Sequence, residues 1–189
     1  MRIELKKNLN LVIPVDSAEG TAYVHSTPVA IQVFEDNFLA LSKTFANMFA
    51  NGLGAIAGPR VAFLMLKQTS QEMGVWDKVN REFVQEMVRL SNVAIPTSQG
   101  YKQVPLHTAI EKQLIGEDDI RDVMGQLSFF TLCWLLNKPN QVEPIMNVVS
   151  GLWESQITSL NFTEFVNSLM TSTGVENIGE MATISSVPS

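Results

Sequence analysis

The chain has 189 residues, 46% hydrophobic and 17% charged, with a formal net charge of −6. That is enough apolar material for one buried core and too much for a disordered chain. The charge is uneven: all 13 Lys and Arg lie in residues 1–138 beside 14 Asp and Glu, whereas residues 139–189 carry five Glu and no cation, which speaks against nucleic acid as a partner and for a basic one.

The apolar stretch Leu127–Leu136 is interrupted by Ser128 and Thr131 and falls well short of the ~20 residues that cross a bilayer, so no membrane span is expected. Arg2, Lys6 and Lys7 stand around Glu4 ahead of a short stretch broken by Pro14, which is not a secretory-signal pattern. The single cysteine, Cys133, lies among Phe130, Leu132, Trp134 and Leu135 and is expected to be a small core hydrophobe of a protein in a reducing compartment.

In chain order, Ile3, Leu5, Leu9, Leu11, Ile13 and Val15 occupy odd positions, Ser17 to Gly20 supplies a turn, and Thr21 and Tyr23 start a returning strand, so residues 1–27 are predicted to form a β-hairpin. Thr27-Pro28 is read as a helix start. Ile31, Phe34, Phe38, Leu41, Phe45 and Met48 then form a heptad-spaced stripe ending at Asn51-Gly52, followed by a helix opened by Pro59 and one capped by Asp77 with Val79, Phe83, Met87 and Leu90 inward. Pro96 to Pro105 is read as a loop, and Leu106 to Leu114 as a short helix. The next helix, from Glu117, is apolar nearly all round after Phe129, as a central helix would be. After Pro139, Val142, Ile145, Met146, Val149, Leu152 and Trp153 keep helical spacing, and Asn161 with Glu164 resembles a capping box before Phe165, Val166 and Leu169.

These elements predict a mainly α protein, a single-domain bundle of about six or seven helices with a small N-terminal β-hairpin. The helical domain is expected over 1–171 and a flexible tail over 172–189.

Chemistry finds no anchor. Gly52, Gly54 and Gly58 lack the Lys-Ser/Thr of a phosphate loop. Cys133 in a buried helix is a poor nucleophile, and His107 with Glu111 at i, i+4 is half of a metal site. Glu117, Asp118 and Asp119 suit the dipole of a helix start. No catalytic residue, metal site or cofactor is expected, and the protein is read as a binding protein, not an enzyme.

Several segments carry a resemblance: Tyr23-Val24-His25-Ser26-Thr27-Pro28 running into Phe34, Leu41-Ser42-Lys43-Thr44-Phe45, Gly58-Pro59-Arg60-Val61-Ala62, Val104-Pro105-Leu106, Phe129-Phe130-Thr131, and Leu152-Trp153 through Ser159-Leu160-Asn161 to Thr163-Glu164-Phe165. In this order the chain resembles the tail assembly chaperones of long-tailed, siphovirus-like bacteriophages. The resemblance implies a helical protein of the host cytoplasm, absent from the mature virion, that binds and solubilises the tape measure protein and helps recruit tail tube protein. In many such phages a ribosomal frameshift adds a longer form of the chaperone, a further implied partner, and homo-oligomers are compatible with the pattern. The client surface is placed on Trp153, Phe162, Phe165 and Leu169, where aromatic anchors meet charge of one sign. The alternative is a structural virion or adaptor protein of the tail or head–tail junction, oligomerising through the Ile31–Met48 stripe.

Overall fold

The computed structural model of the chain describes residues 9–137 and 139–170. Two strands, β1 (Asn10–Ser17) and β2 (Gly20–Ser26), lead into α1 (Ile31–Asp36), α2 (Phe38–Ala50) and α3 (Gly54–Glu72). Next come α4 (Trp76–Val79) and α5 (Gln85–Arg89), joined by a π-helical turn over Asn80–Val84. A second pair of strands follows, β3 (Ser91–Thr97) and β4 (Gly100–Pro105), then α6 (Leu106–Glu111), α7 (Glu117–Leu136), α8 (Pro139–Trp153) and β5 (Gln156–Thr158). A last helix, α9, covers 162–170. The tail expected over 172–189 lies outside the described residues.

The mainly α bundle expected from the sequence is overturned. The fold is α+β, built on a five-stranded antiparallel sheet ordered β4-β3-β2-β1-β5. The N-terminal hairpin exists, but it is the centre of a sheet and not an appendage. β2 pairs with β3 from Tyr23↔Ala94 to Ser26↔Ser91, and β1 pairs with β5 over Asn10–Val12. The stretch from Pro96 to Pro105, read as a loop, is mostly a second hairpin. Pro14 and Pro96 made both strands look broken. Each sits beyond the range over which its strand has neighbours on both sides, the edge-like position in which a strand tolerates proline.

The two hairpin turns share one chemistry. Ser17 Oγ donates to the Gly20 carbonyl at 2.6 Å and Thr97 Oγ1 to the Gly100 carbonyl at 2.8 Å, with Gly20 and Gly100 at φ 121° and 114°. A hydroxyl at the first position and a glycine at the fourth close both two-residue turns, and those φ values favour glycine.

Helix boundaries moved in several places: the stripe read as one helix is split at Asn37 into α1 and α2, and α6 ends at Glu111 instead of Leu114. α1 starts at Ile31, not after Thr27-Pro28, because the Thr27 N–H bonds to the Leu90 carbonyl at 3.3 Å and keeps the chain extended beside the end of α5. Pro59 lies inside α3, which begins at Gly54. In the helix after Trp76, Val79, Phe83 and Met87 are all essentially buried although they recur every four residues. In a regular α-helix each four-residue step drifts by about 40°; the π turn over Asn80–Val84 absorbs part of that drift and keeps the three side chains on one line.

Leu11, Ile13, Val15, Val24, Val93 and Val104 form the sheet's inner face and share one core with Leu41, Met48, Leu66, Phe83 and α7. As expected, α7 is central: every residue from Val123 to Cys133 is buried. It crosses α3 closely. A Cβ on Gly125 would collide with the Pro59 carbonyl oxygen, and one on Gly58 would enter the Phe129 ring. Gly151 on α8 faces open space.

We therefore expect Gly125→Ala to lower the unfolding free energy by about 1–3 kcal/mol through overpacking, whereas Gly151→Ala raises it by about 0.4–1 kcal/mol. Denaturant titration of both proteins checks the pair; equal effects would contradict the crossing.

Candidate functional site

The residues chosen from the sequence as a client surface divide between two places. Asn161 and Glu164 form the capping box that starts α9: the Glu164 N–H bonds Asn161 Oδ1 and the Asn161 N–H bonds Glu164 Oε2, both at 3.0 Å. The helix so started lies on the outer face of the sheet. Phe165 and Val166 bury against Val12 and Ala94, and Phe162 and Leu169 pack beside them with Tyr23 and Tyr101. Tyr23 and His25 hold the Phe165 ring between centroids at 5.7 and 5.8 Å. Phe162, Phe165 and Leu169 thus meet in a second, smaller core, with Phe165 only 4% exposed. Trp153 is not with them; it packs against the main core. The sequence did carry a signal for this: Leu11-Val12-Ile13 is an unbroken apolar run, the mark of a strand buried on both faces.

A polar clasp ties α9 to the sheet. Asn10 Nδ2 donates to the Leu160 carbonyl at 2.9 Å, and His25 Nε2 lies 3.0 Å from the same oxygen. A carbonyl oxygen only accepts, so Nε2 carries a proton in this contact. Burial holds His25 below the ordinary imidazole pKa, with the bond to Leu160 opposing the shift.

The other sequence candidates stay apart. Cys133 is fully buried and desolvation pushes its thiol up to about 12, the opposite of an activated nucleophile. His107 and Glu111 lie on α6, and among the described residues no three His, Cys, Asp or Glu side chains are grouped as a metal would require. Glu117, Asp118 and Asp119 open α7, where Asp118 pairs with Arg121 at 3.4 Å. The glycine-rich stretch places Gly58 against Phe129, in the crossing of α3 and α7. Among the described residues no helix is long and apolar enough to cross a membrane.

The surface that is left apolar was not chosen from the sequence. On α8, Val142, Met146 and Val149 turn inward, while Val148 and Leu152, one turn apart on the neighbouring stripe, are 56% and 57% exposed. Glu143 and Glu154 lie near the two ends of that helix, and residues 139–170 contain no Lys or Arg. The signal was the width of the stripe: apolar residues at 142, 145, 146, 148, 149, 152 and 153 exceed what one buried face needs. A second apolar surface lies at the corner of α1 and α2. There Phe38 and Leu39 are exposed beside a concavity of about 340 Å³ that Met73, Val75 and Val79 also line. Of the heptad stripe, Phe34, Leu41 and Met48 are spent in the core and Ile31 and Phe38 stay exposed.

No protein-family model, curated protein or solved structure matches the chain.

The His25 clasp has a pH signature. A histidine whose folded pKa is depressed binds its proton more readily in the unfolded chain. Its contribution is therefore complete above the ordinary value of 6.5 and is lost as pH falls from there through the lower folded value. We expect stability to decline as pH falls through 6.5, and the decline to be smaller in His25→Gln, as read from denaturation midpoints at a series of pH values on both sides of it; identical slopes would exclude the clasp as the cause.

Proposed function

We propose that this protein is a tail assembly chaperone of a long-tailed bacteriophage, acting in the host cytoplasm, where it binds the tape measure protein, keeps it soluble and helps recruit tail tube subunits, without entering the mature virion. The identity of the client comes from the resemblance of the sequence segments given above. The observation that carries the binding role is the exposed Val148–Leu152 stripe on α8, beside the stripe that α8 buries. Contiguous apolar surface left open on a folded protein marks an interaction site, and a helix stripe with i, i+4 spacing suits a long amphipathic helical client. The absence of cations from residues 139–170 favours client segments bearing Lys or Arg.

Burying a Val or Leu side chain is worth about 1.5–3 kcal/mol, and each 1.4 kcal/mol is about tenfold in affinity. Co-expression with this protein should move the tape measure protein into the soluble fraction. Val148→Glu with Leu152→Glu should abolish that effect and leave the melting transition cooperative. A tape measure protein that is no more soluble with the chain than without it would overturn the proposal.

A further inference from the structure

A further concavity lies away from α8. It is an open groove of about 800 Å³ between the β1–β2 turn, β3 and the connection from α6 to α7. Ile95, Ile110, Leu114 and Ile120 supply its apolar lining, and four carboxylates, those of Asp16, Glu19, Glu117 and Asp119, stand around it. Among the described residues no Lys, Arg or His lines it. The chain builds this from three separate segments, with Ile95 coming from β3. The β1–β2 turn contributes Asp16 and Glu19, and Gln113 at φ 52° turns the chain after α6 so that Leu114 and then the acidic first turn of α7 follow.

Charge pairing sets this place apart from the acidic side chains close by. Asp118 is paired with Arg121 and Asp122 with Arg60 at 3.7 Å, whereas the four groove carboxylates make no ion pair among the described residues. Burial and the nearby carboxylates, Asp16 first among them, push the Asp119 carboxyl up from its ordinary value. Like charges gathered over a low-dielectric apolar wall repel one another and focus an attractive field on a cation. The carboxylates are not grouped in threes as a metal would require.

We propose that this groove docks a cationic amphipathic segment of a partner protein, its Leu, Ile or Phe side chains against Ile95, Ile110, Leu114 and Ile120 and its Lys or Arg side chains against Asp16, Glu19, Glu117 and Asp119. Charge complementarity sets orientation and encounter rate, and the apolar contact sets residence. The inference rests on the binding-protein reading above only in taking a polypeptide as the occupant; it does not depend on which protein is the client.

The test uses the full chain and fluorescein-labelled synthetic peptides in an anisotropy titration. One peptide is an amphipathic helix of Leu and Lys, one replaces Lys by Glu, and one replaces Leu by Ser. Only the Leu/Lys peptide should bind, more weakly at high salt. Asp16→Asn, Glu19→Gln, Glu117→Gln and Asp119→Asn combined should weaken it by more than about tenfold, and Leu114→Gln alone should also weaken it. Glu35→Gln with Glu72→Gln, which removes two charges elsewhere, should leave it unchanged. Equal affinity for the quadruple variant, equal binding of the Ser/Lys peptide, or an equal loss in the Glu35/Glu72 control would each overturn the proposal. Amide shift mapping on the unmodified protein keeps the test independent of how the variants fold: perturbations should fall on residues 16–19 and 113–120, and a map centred elsewhere overturns it. Because the probe is synthetic, peptide binding can hold where the tape measure protein is not the client, and can fail where it is.

Discussion

Val12 and Ala94 are fully buried, yet they lie on the face of the sheet opposite Leu11, Ile13 and Val93. A sheet apolar on both faces must be covered on both, because exposed apolar strands neither stay soluble nor stay unpaired. The helical body covers one face, and α9 covers the other. Most features of the C-terminal region follow from that requirement. Phe162, Phe165 and Leu169 are drawn onto the sheet. The capping box of Asn161 and Glu164 fixes where α9 begins, and Asn10 and His25 hold the preceding carbonyl of Leu160. Both clasp residues come from the first two strands, some 135 and 150 positions earlier, so the two ends of the described chain close on each other.

On the other side of the sheet the limiting element is α7. Eleven consecutive residues, Val123 to Cys133, are buried, so the helix has no solvent face over that length and needs neighbours all round. Close approach of α3 is what completes its cover, and Gly58 and Gly125 allow it. Polar residues inside this helix are satisfied locally where they can be: Thr131 Oγ1 donates to the Leu127 carbonyl at 2.7 Å. With α7 occupied by α3 and the sheet, α8 buries only the Val142-Met146-Val149 line against the body, and its second apolar stripe remains at the surface. The candidate binding surface is thus what the packing of α7 leaves over.

Two regions of the surface then differ in character. The α8 stripe is apolar, with carboxylates near its ends; the groove beside the β1–β2 turn is concave, apolar inside and acidic around. Two separate sites of moderate strength that engage one partner raise overall avidity without demanding a tight contact anywhere. The acidic character of the chain, which composition places in its last quarter, is in the folded molecule concentrated also at Asp16, Glu19, Glu117 and Asp119, which the sequence leaves scattered over a hundred positions.

Local patterns that depend on neighbours in sequence were legible. The first hairpin, the inward line of Val79, Phe83 and Met87, the central place of α7 and the capping box at Asn161 could each be read from spacing, because a helix turn is decided within a few residues. All-round burial in α7 nevertheless covers Val123–Cys133 and not Phe129–Leu136. What required the tertiary structure was whatever depends on a distant partner. Ser91–Thr97 joins the sheet because β2 lies alongside, 65 positions away in the bond between Ser26 and Ser91. Its hairpin with Gly100–Pro105 is local, but Pro96 and Pro105 masked it, and β5 is too short to show any period of its own. Whether an aromatic residue of α9 is a docking anchor or a core residue is likewise fixed by the sheet it meets and not by its own neighbours. Burial on both faces of a strand and the convergence of carboxylates from separate turns are properties of chain segments brought together through space, and local periodicity carries no record of which segments those are.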